Sequence, residues 1–224
     1  MIAITFALRA ESGDFIMQLG KPDNGLEVVV FHTGVGRKSA AAKIEDFLKD
    51  SKPRLLISSG FAGAAASELG VGTLILAENF SDPQVLMEAE RALQKFSPKI
   101  GKLYSSDSIV DHPSERDKIA RAQDALAIDM ETGTIAAACQ EREIPVLSLR
   151  VISDSAKQPF PAPRKVLFNL EKQRTDYAGL LAYLLRHPGA VPKLLRFSRQ
   201  IRDAQDRLAH ALNVLLKDEV FIAA

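Results

Sequence analysis

Pro145-Val146-Leu147-Ser148-Leu149-Arg150-Val151-Ile152 is one continuous apolar run broken only by Ser148 and Arg150, and it leads directly into Ser153-Asp154. It reads as a strand that delivers Asp154 at its carboxyl end, the end at which open α/β sheets collect their ligands. Upstream, Asp129-Met130-Glu131 precedes a helical pattern over Thr132 to Arg142. Glu131 therefore falls in the first turn of a helix. Two carboxylates and Arg150 come within reach of one small-molecule site.

Working outward, short β-rich runs recur at Ile2 to Leu8, Glu27 to Phe31, Arg54 to Ser58 and Val71 to Ala77, with helical segments between them. That alternation predicts an α/β fold. Lys38 to Lys49 sets Ala40, Ala41, Ile44, Phe47 and Leu48 at helical spacing, with Lys43, Glu45 and Asp46 on the wet face. Met87 to Lys95 reads as a helix, Tyr104 to Val110 as a weaker strand or extended loop, and His112-Pro113-Ser114 caps a helix running through Arg121. Gln158 to Pro163 is a proline-rich loop. The rest reads as helical, broken at His187-Pro188-Gly189 and Pro192.

The 224 residues, 46% hydrophobic and 25% charged, suit a single domain, residues 1–224, with a helical C-terminal extension from about 164. A formal charge of +1 gives no bias toward nucleic acid. One cysteine, Cys139, excludes an intrachain disulfide framework and suits a reducing compartment, where it reads as a buried, inert thiol. The amino terminus lacks a basic n-region and a small-residue cleavage site. No uninterrupted stretch of about 20 apolar residues is present to span a bilayer. The expectation is a soluble cytoplasmic protein. The four histidines are not spaced as metal ligands, so neither a metal nor a catalytic triad is assigned.

Several motifs admit two readings. Thr33-Gly34-Val35-Gly36-Arg37 ends a strand and opens a helix. Its amides and the cation of Arg37 suit an anion, and its glycines equally suit a tight turn. Ser58-Ser59-Gly60-Phe61-Ala62-Gly63-Ala64 reads as a small-residue loop that lets a phosphate, ribose or purine approach the backbone. Glu11 follows the first strand, as a water-orienting carboxylate or as a solvated loop residue. Arg186 to Arg207 carries six basic residues against Asp203 and Asp206, a solvated cationic helix face or an attraction to anionic lipid.

Taken together, Glu11, Thr33-Gly34-Val35-Gly36, Ser59-Gly60-Phe61-Ala62-Gly63, Val71-Gly72-Thr73, Asp129-Met130-Glu131 and Arg150-Val151-Ile152-Ser153-Asp154 resemble the purine and uridine phosphorylase family, which includes 5'-methylthioadenosine/S-adenosylhomocysteine nucleosidases. The likeness covers most of residues 1 to 155. The tail, through Leu184-Leu185-Arg186-His187-Pro188 and Leu194-Leu195-Arg196, is most similar to the hopanoid-associated phosphorylase branch, thought to act on adenosylhopane.

The resemblance implies a three-layer fold, with a mixed central sheet flanked by helices, and a nucleoside phosphorylase-like enzyme that cleaves the N-glycosidic bond of an adenine nucleoside by phosphate attack; the alternatives are a methylthioadenosine/S-adenosylhomocysteine nucleosidase using water and a catalytically silent nucleoside-binding or membrane-associated protein. It implies that Asp154 supports protonation of the purine at N7, that Glu131 binds the ribose hydroxyls, and that Met130 packs on the sugar. Ile109 and Val110 would line the base, with Asp129, Ser153, Phe61 and Ala62 completing the substrate site. Glu11 matches a water-activating glutamate. Arg37, Gly36, Ser59, Gly60 and Arg9 would hold inorganic phosphate if that is the co-substrate, and Arg150 would serve either nucleophile. No other cofactor is implied. Relatives of this family associate, so a homo-oligomer, a dimer or larger, is expected. The basic C-terminal helices carry the expectation of a peripheral membrane contact.

Overall fold

The computed structural model describes residues 1–19, 25–156, 187, 189 and 191–223. Seven strands carry the fold: β1 (Ile2–Phe6), β2 (Val28–His32), β3 (Leu55–Ala64), β4 (Leu74–Ala77), β5 (Lys99–Ser105), β6 (Ala125–Asp129) and β7 (Val146–Asp154). They lie in the order β2-β1-β3-β6-β5-β4-β7, and β7 also pairs with β3, closing the last five strands into a ring. Most pairings are parallel, whereas β3–β6 and β4–β7 are antiparallel. The sheet is mixed, as expected.

Helices cover both faces: α1 (Arg9–Gln18), α2 (Arg37–Asp50), α3 (Pro83–Ala92), α4 (Pro113–Gln123), α5 (Thr132–Gln140), α6 (Val191–Lys217) and α7 (Glu219–Ala223). On one face Phe15 of α1, Val85 and Ala89 of α3, and Ala204, Leu208, Leu212 and Leu215 of α6 pack on Ile4, Ile57, Leu147 and Leu149 of the sheet. On the other, Ile44 and Leu48 of α2 meet Ile135, Ala138 and Cys139 of α5 over Ala3 and Leu56. Each fully buried Leu, Ile or Phe contributes about 1.5–3 kcal/mol, which is what fixes the strand edges beneath the site. β7 is buried along all nine of its residues, in keeping with its unbroken apolar run.

Several elements differ from the sequence reading. Ser59 to Ala64 is no loop: it is the second half of β3, in register with β7 from Ser59↔Leu149 to Gly63↔Asp154. The glycines that suggested a turn instead leave space for buried side chains. The run from Val71 begins as a strand only at Leu74, although Gly72 still donates its amide to the Ile152 carbonyl at 2.8 Å. Glu11 lies in a helix, α1, rather than a loop. That helix shows no amphipathic stripe, because Phe15 is buried while Ile16 and Met17 face solvent.

The third helix starts at Pro83, four residues earlier than its apolar spacing suggests, because Asp82 caps it by accepting from the Gln84 and Val85 amides. Strand β6, five residues long, was not anticipated. Pro192 does not break the C-terminal helix; it occupies the first turn, where a missing amide costs nothing. The proline-rich loop, the start of the helical extension near 164 and the Leu184-Leu185-Arg186 stretch lie outside the described residues.

Candidate active site

The carboxyl ends of β1, β3, β6 and β7 surround a cavity of about 270 Å³. Its apolar wall includes Val35, Phe61, Ile109, Val110, Ile128 and Met130, and its polar groups include Glu11, Asp129, Glu131, Ser153 and Asp154. All eight substrate-binding candidates from the sequence line it, and so do Asp154 and Glu11. Arg150, Arg37, Gly36, Ser59, Gly60 and Arg9 are not among the lining residues.

Arg150 is instead sealed in beneath it, 2% exposed. Its Nη2 meets Asp129 Oδ2 at 3.0 Å and donates to Ser58 Oγ at 2.8 Å and to Thr132 Oγ1 at 2.5 Å. Asp129 Oδ2 also accepts from the Thr132 hydroxyl and, at 3.1 Å, from the Thr132 amide. The other face of the guanidinium looks toward Glu11 across Gly60, where an added Cβ would lie 2.9 Å from Arg150 Nη1 and 3.0 Å from Glu11 Oε2. Gly60 has φ +139, so both backbone and space call for glycine here.

Glu11 Oε2 accepts from the amides of Ala7 and Leu8 at 3.0 and 3.1 Å. Burial raises its pKa, against the Leu8 amide and the charge of Arg150. Glu131 Oε1 accepts from the Gly36 amide at 2.6 Å. Burial, then the charge of Asp129, pushes Glu131 up to about 7. Three carboxylates thus gather around one guanidinium, and burial holds Glu11 and Glu131 above the ordinary carboxylate range.

At the other end, Asp154 is buried against Arg116, a residue of the helix capped by His112 to which the sequence assigns no role. Arg116 Nη2 lies 2.6 Å from Asp154 Oδ2, with both side chains almost fully enclosed. Asp154 Oδ1 accepts from Ser153 Oγ at 2.6 Å. Burial raises the Asp154 pKa, while Arg116 and Ser153 pull it back. The only trace of Arg116 in the sequence is its place one turn into the helix capped by His112.

The five anion-binding candidates are dispersed. Arg37 pairs with Asp107 at 2.7 Å in solvent, the side chains 66% and 76% exposed. Gly36 gives its amide to Glu131, Ser59 is buried inside β3, and Arg9 is an exposed first residue of α1. The cavity therefore offers an acid held by a cation at one end, a cluster of carboxylates at the other, and apolar walls between. That is an arrangement suited to a flat heterocycle joined to a polyol that develops positive charge.

Known proteins share this framework. The chain is 27% identical over 161 residues to a 5'-methylthioadenosine/S-adenosylhomocysteine nucleosidase of Staphylococcus haemolyticus, covering 59% of this chain and 71% of that protein. The fold superposes on the nucleosidase of the same name from S. pneumoniae, solved with a transition-state inhibitor, with a TM-score of 0.71 at 21% identity over 96% of this chain and 98% of that one. It also superposes on futalosine hydrolase of Helicobacter pylori, with a TM-score of 0.69 at 16% identity over 95% of each chain. The model of the phosphorylase superfamily matches residues 8–96 and 79–186. On that match, which runs through most of the strands and carboxylates just described, the chain belongs to the phosphorylase superfamily.

Proposed function

We propose that the protein cleaves the N-glycosidic bond of an adenine nucleoside, with water as the attacking group. The observation that carries this is the single cavity holding Asp154 at one end and Glu131 with Glu11 at the other. As the C1'–N9 bond breaks, its electron pair passes to the purine and positive charge grows on the sugar. Asp154, its pKa raised by burial, gives a proton to the purine N7. Glu131 hydrogen-bonds the ribose hydroxyls, Met130 packs beneath the sugar, and Ile109, Val110 and Phe61 flank the base. Glu11 takes the proton of the water that attacks C1', and Arg150, behind Gly60, offsets the charge of the ionised Glu11. Adenine and the ribose, still carrying its 5' group, leave.

Phosphate is the second nucleophile to weigh, because Arg9 and Arg37 stand at the solvent-facing starts of α1 and α2 and a helix start attracts anions. Water is favoured, since Glu11 lines the cavity and neither arginine does. The likeness of the tail to the hopanoid-associated branch supports a bulky apolar 5' substituent, as in adenosylhopane. One experiment tests all of this: chromatographic identification of products from adenosine analogues of graded 5' size, with and without inorganic phosphate. Adenine with the free 5'-substituted ribose in phosphate-free buffer supports the proposal. Phosphate-dependent turnover to ribose 1-phosphate shifts the reading to phosphorolysis, and adenine from none of the analogues overturns both in favour of a catalytically silent nucleoside-binding protein.

Two partner expectations accompany this reading. The protein forms a homo-oligomer, measurable by light scattering, and α6 lays its basic residues against anionic membrane, measurable by liposome sedimentation with and without residues 186–224. Among the described residues no helix is long and apolar enough to cross a membrane.

A further inference from the structure

Arg116 is built into the protein with more care than a surface cation receives. It is 2% exposed, and every side of its guanidinium is occupied. Nε donates to the Val110 carbonyl at 2.9 Å, Nη1 to the Ala64 carbonyl at 3.1 Å and the Ser155 carbonyl at 3.5 Å, and Nη2 meets Asp154 at 2.6 Å. These partners come from the loop before α4, the end of β3 and the end of β7. The backbone is shaped to admit it: a Cβ on Gly63 would stand 2.9 Å from both Nη1 and Nη2. Gly63 is also the residue opposite Asp154, immediately after the register shift between β3 and β7. An arginine with three backbone carbonyls as partners is rigid, so its charge is presented to Asp154 at a fixed distance and angle.

We propose that Arg116 is the positioning residue of this site, fixing the orientation of Asp154 and setting the pH at which that carboxyl surrenders its proton. The inference rests on the role given above to Asp154. The other ionisable groups around Asp154 do not compete for this task. Glu11, Asp129 and Glu131 line the same cavity, and Asp203 and Asp206 on α6 line a second one that Asp154 also borders; all five are acids and none can supply a cation to it. Arg207 and His210 of α6 border that second cavity as well. Arg116 alone forms an ion pair with Asp154 among the described residues. Without its charge, Asp154 holds its proton to higher pH, and without its geometry, the carboxyl is free to turn away from the base.

The test uses Arg116→Gln, Arg116→Lys and Gly63→Ala in the full chain. The titration of Asp154 is followed by carbon-13 NMR of aspartate-labelled protein, assigned with Asp154→Asn, beside the pH profile of kcat/KM. In Arg116→Gln the Asp154 titration and the alkaline limb of activity both move up by about one to three pH units, and kcat falls by about tenfold or more with KM little changed. Arg116→Lys, which keeps the charge, returns the limb toward its original position with a lower kcat. Gly63→Ala, which displaces the guanidinium without removing it, moves both readouts the same way by less, and it carries the test if Arg116→Gln fails to fold. An Asp154 titration and alkaline limb unchanged in the folded variants overturn the proposal. A wild-type protein that releases no adenine defeats the glycosidic reading instead, and the NMR titration still reports on Arg116.

Discussion

The Gly36 amide donates to Glu131 Oε1 at 2.6 Å across 95 positions of sequence, joining the turn that opens α2 to the carboxylate that opens α5. Two motifs that are separate in the sequence are one structural unit. The bond also commits the amide that a phosphate would have used, and leaves Glu131 with the α2 amino-terminal dipole as partial compensation for burial. It is not enough to offset burial and Asp129, which hold Glu131 up at about 7.

That shift makes stability depend on pH. Between the ordinary value of 4.5 and about 7, the folded protein keeps the Glu131 proton and the unfolded chain has released it. Stability therefore falls as pH rises through this window, by on the order of 3 kcal/mol, and the contribution levels off above it. Glu11 and Asp154, also raised, add the same sign. Urea unfolding from pH 4.5 to 7.5 should show a shallower decline in Glu131→Gln than in the wild type; identical slopes would remove Glu131 from the account.

Gly60→Ala should cost about 1–3 kcal/mol, because φ +139 strains any L side chain and its Cβ would press on Arg150 and Glu11. Gly13→Ala is the matching control: nothing lies within 4 Å of its Cβ, and a helical alanine there should stabilise by about 0.5–1 kcal/mol. Thermal melts of the pair decide it. Equal effects would contradict the crowding described around Gly60.

Arg150→Met strips the cation from Asp129 and Glu11 while keeping most of the volume. Breaking one side of a buried pair costs about 3–5 kcal/mol. Adding Asp129→Asn should recover part of that loss, since the uncompensated charge goes with it. A double variant no more stable than the single would show that Arg150 matters for packing rather than charge.

Asp154→Asn should lower kcat by about 10²–10⁴-fold and leave binding of adenine nearly intact. Glu11→Gln should lower kcat as well, with the deficit confined to attack by water. Isothermal titration with adenine beside turnover assays separates the two effects; an active Asp154→Asn would end the general-acid role.

Cys139 is buried, and its thiol is pushed up to about 12 by that burial. Native protein should leave a disulfide reagent such as DTNB unreacted at neutral pH and react with one equivalent once unfolded. Rapid labelling of the folded protein would contradict its placement under α2.

The strand β7, the helix after Glu131 and the apolar stripe of α2 were legible because each repeats one physical signal along several residues. Asp154, Glu131 and Glu11 are read from strand ends and from resemblance, Phe61 and Ala62 from the small-residue stretch after a strand, and Ile109 and Val110 from resemblance alone; the fold brings all of them to one cavity. The errors have a common source. Ser59 to Ala64 reads as a loop because glycine in sequence signals a turn, whereas here it signals room for a neighbour that only the tertiary structure supplies. Arg116 was unreadable for the complementary reason: an arginine on a helix is ordinarily solvated, and nothing local announces that three carbonyls and a carboxylate wait above it. The proposed phosphate set is a separate matter: it rests on cationic and small residues near strand ends and helix starts, and such local chemistry does not report that Arg37 pairs with Asp107 in solvent.

The two missing side chains on β3 give that strand the part of a gauge. Gly60 seats one guanidinium and Gly63 the other, three residues apart, and at about 3.3 Å per residue the chain advances roughly 10 Å between them. A single stretch of backbone thus seats both buried guanidinium groups, and under the proposed function it would set how far the groups facing the sugar stand from the one facing the base.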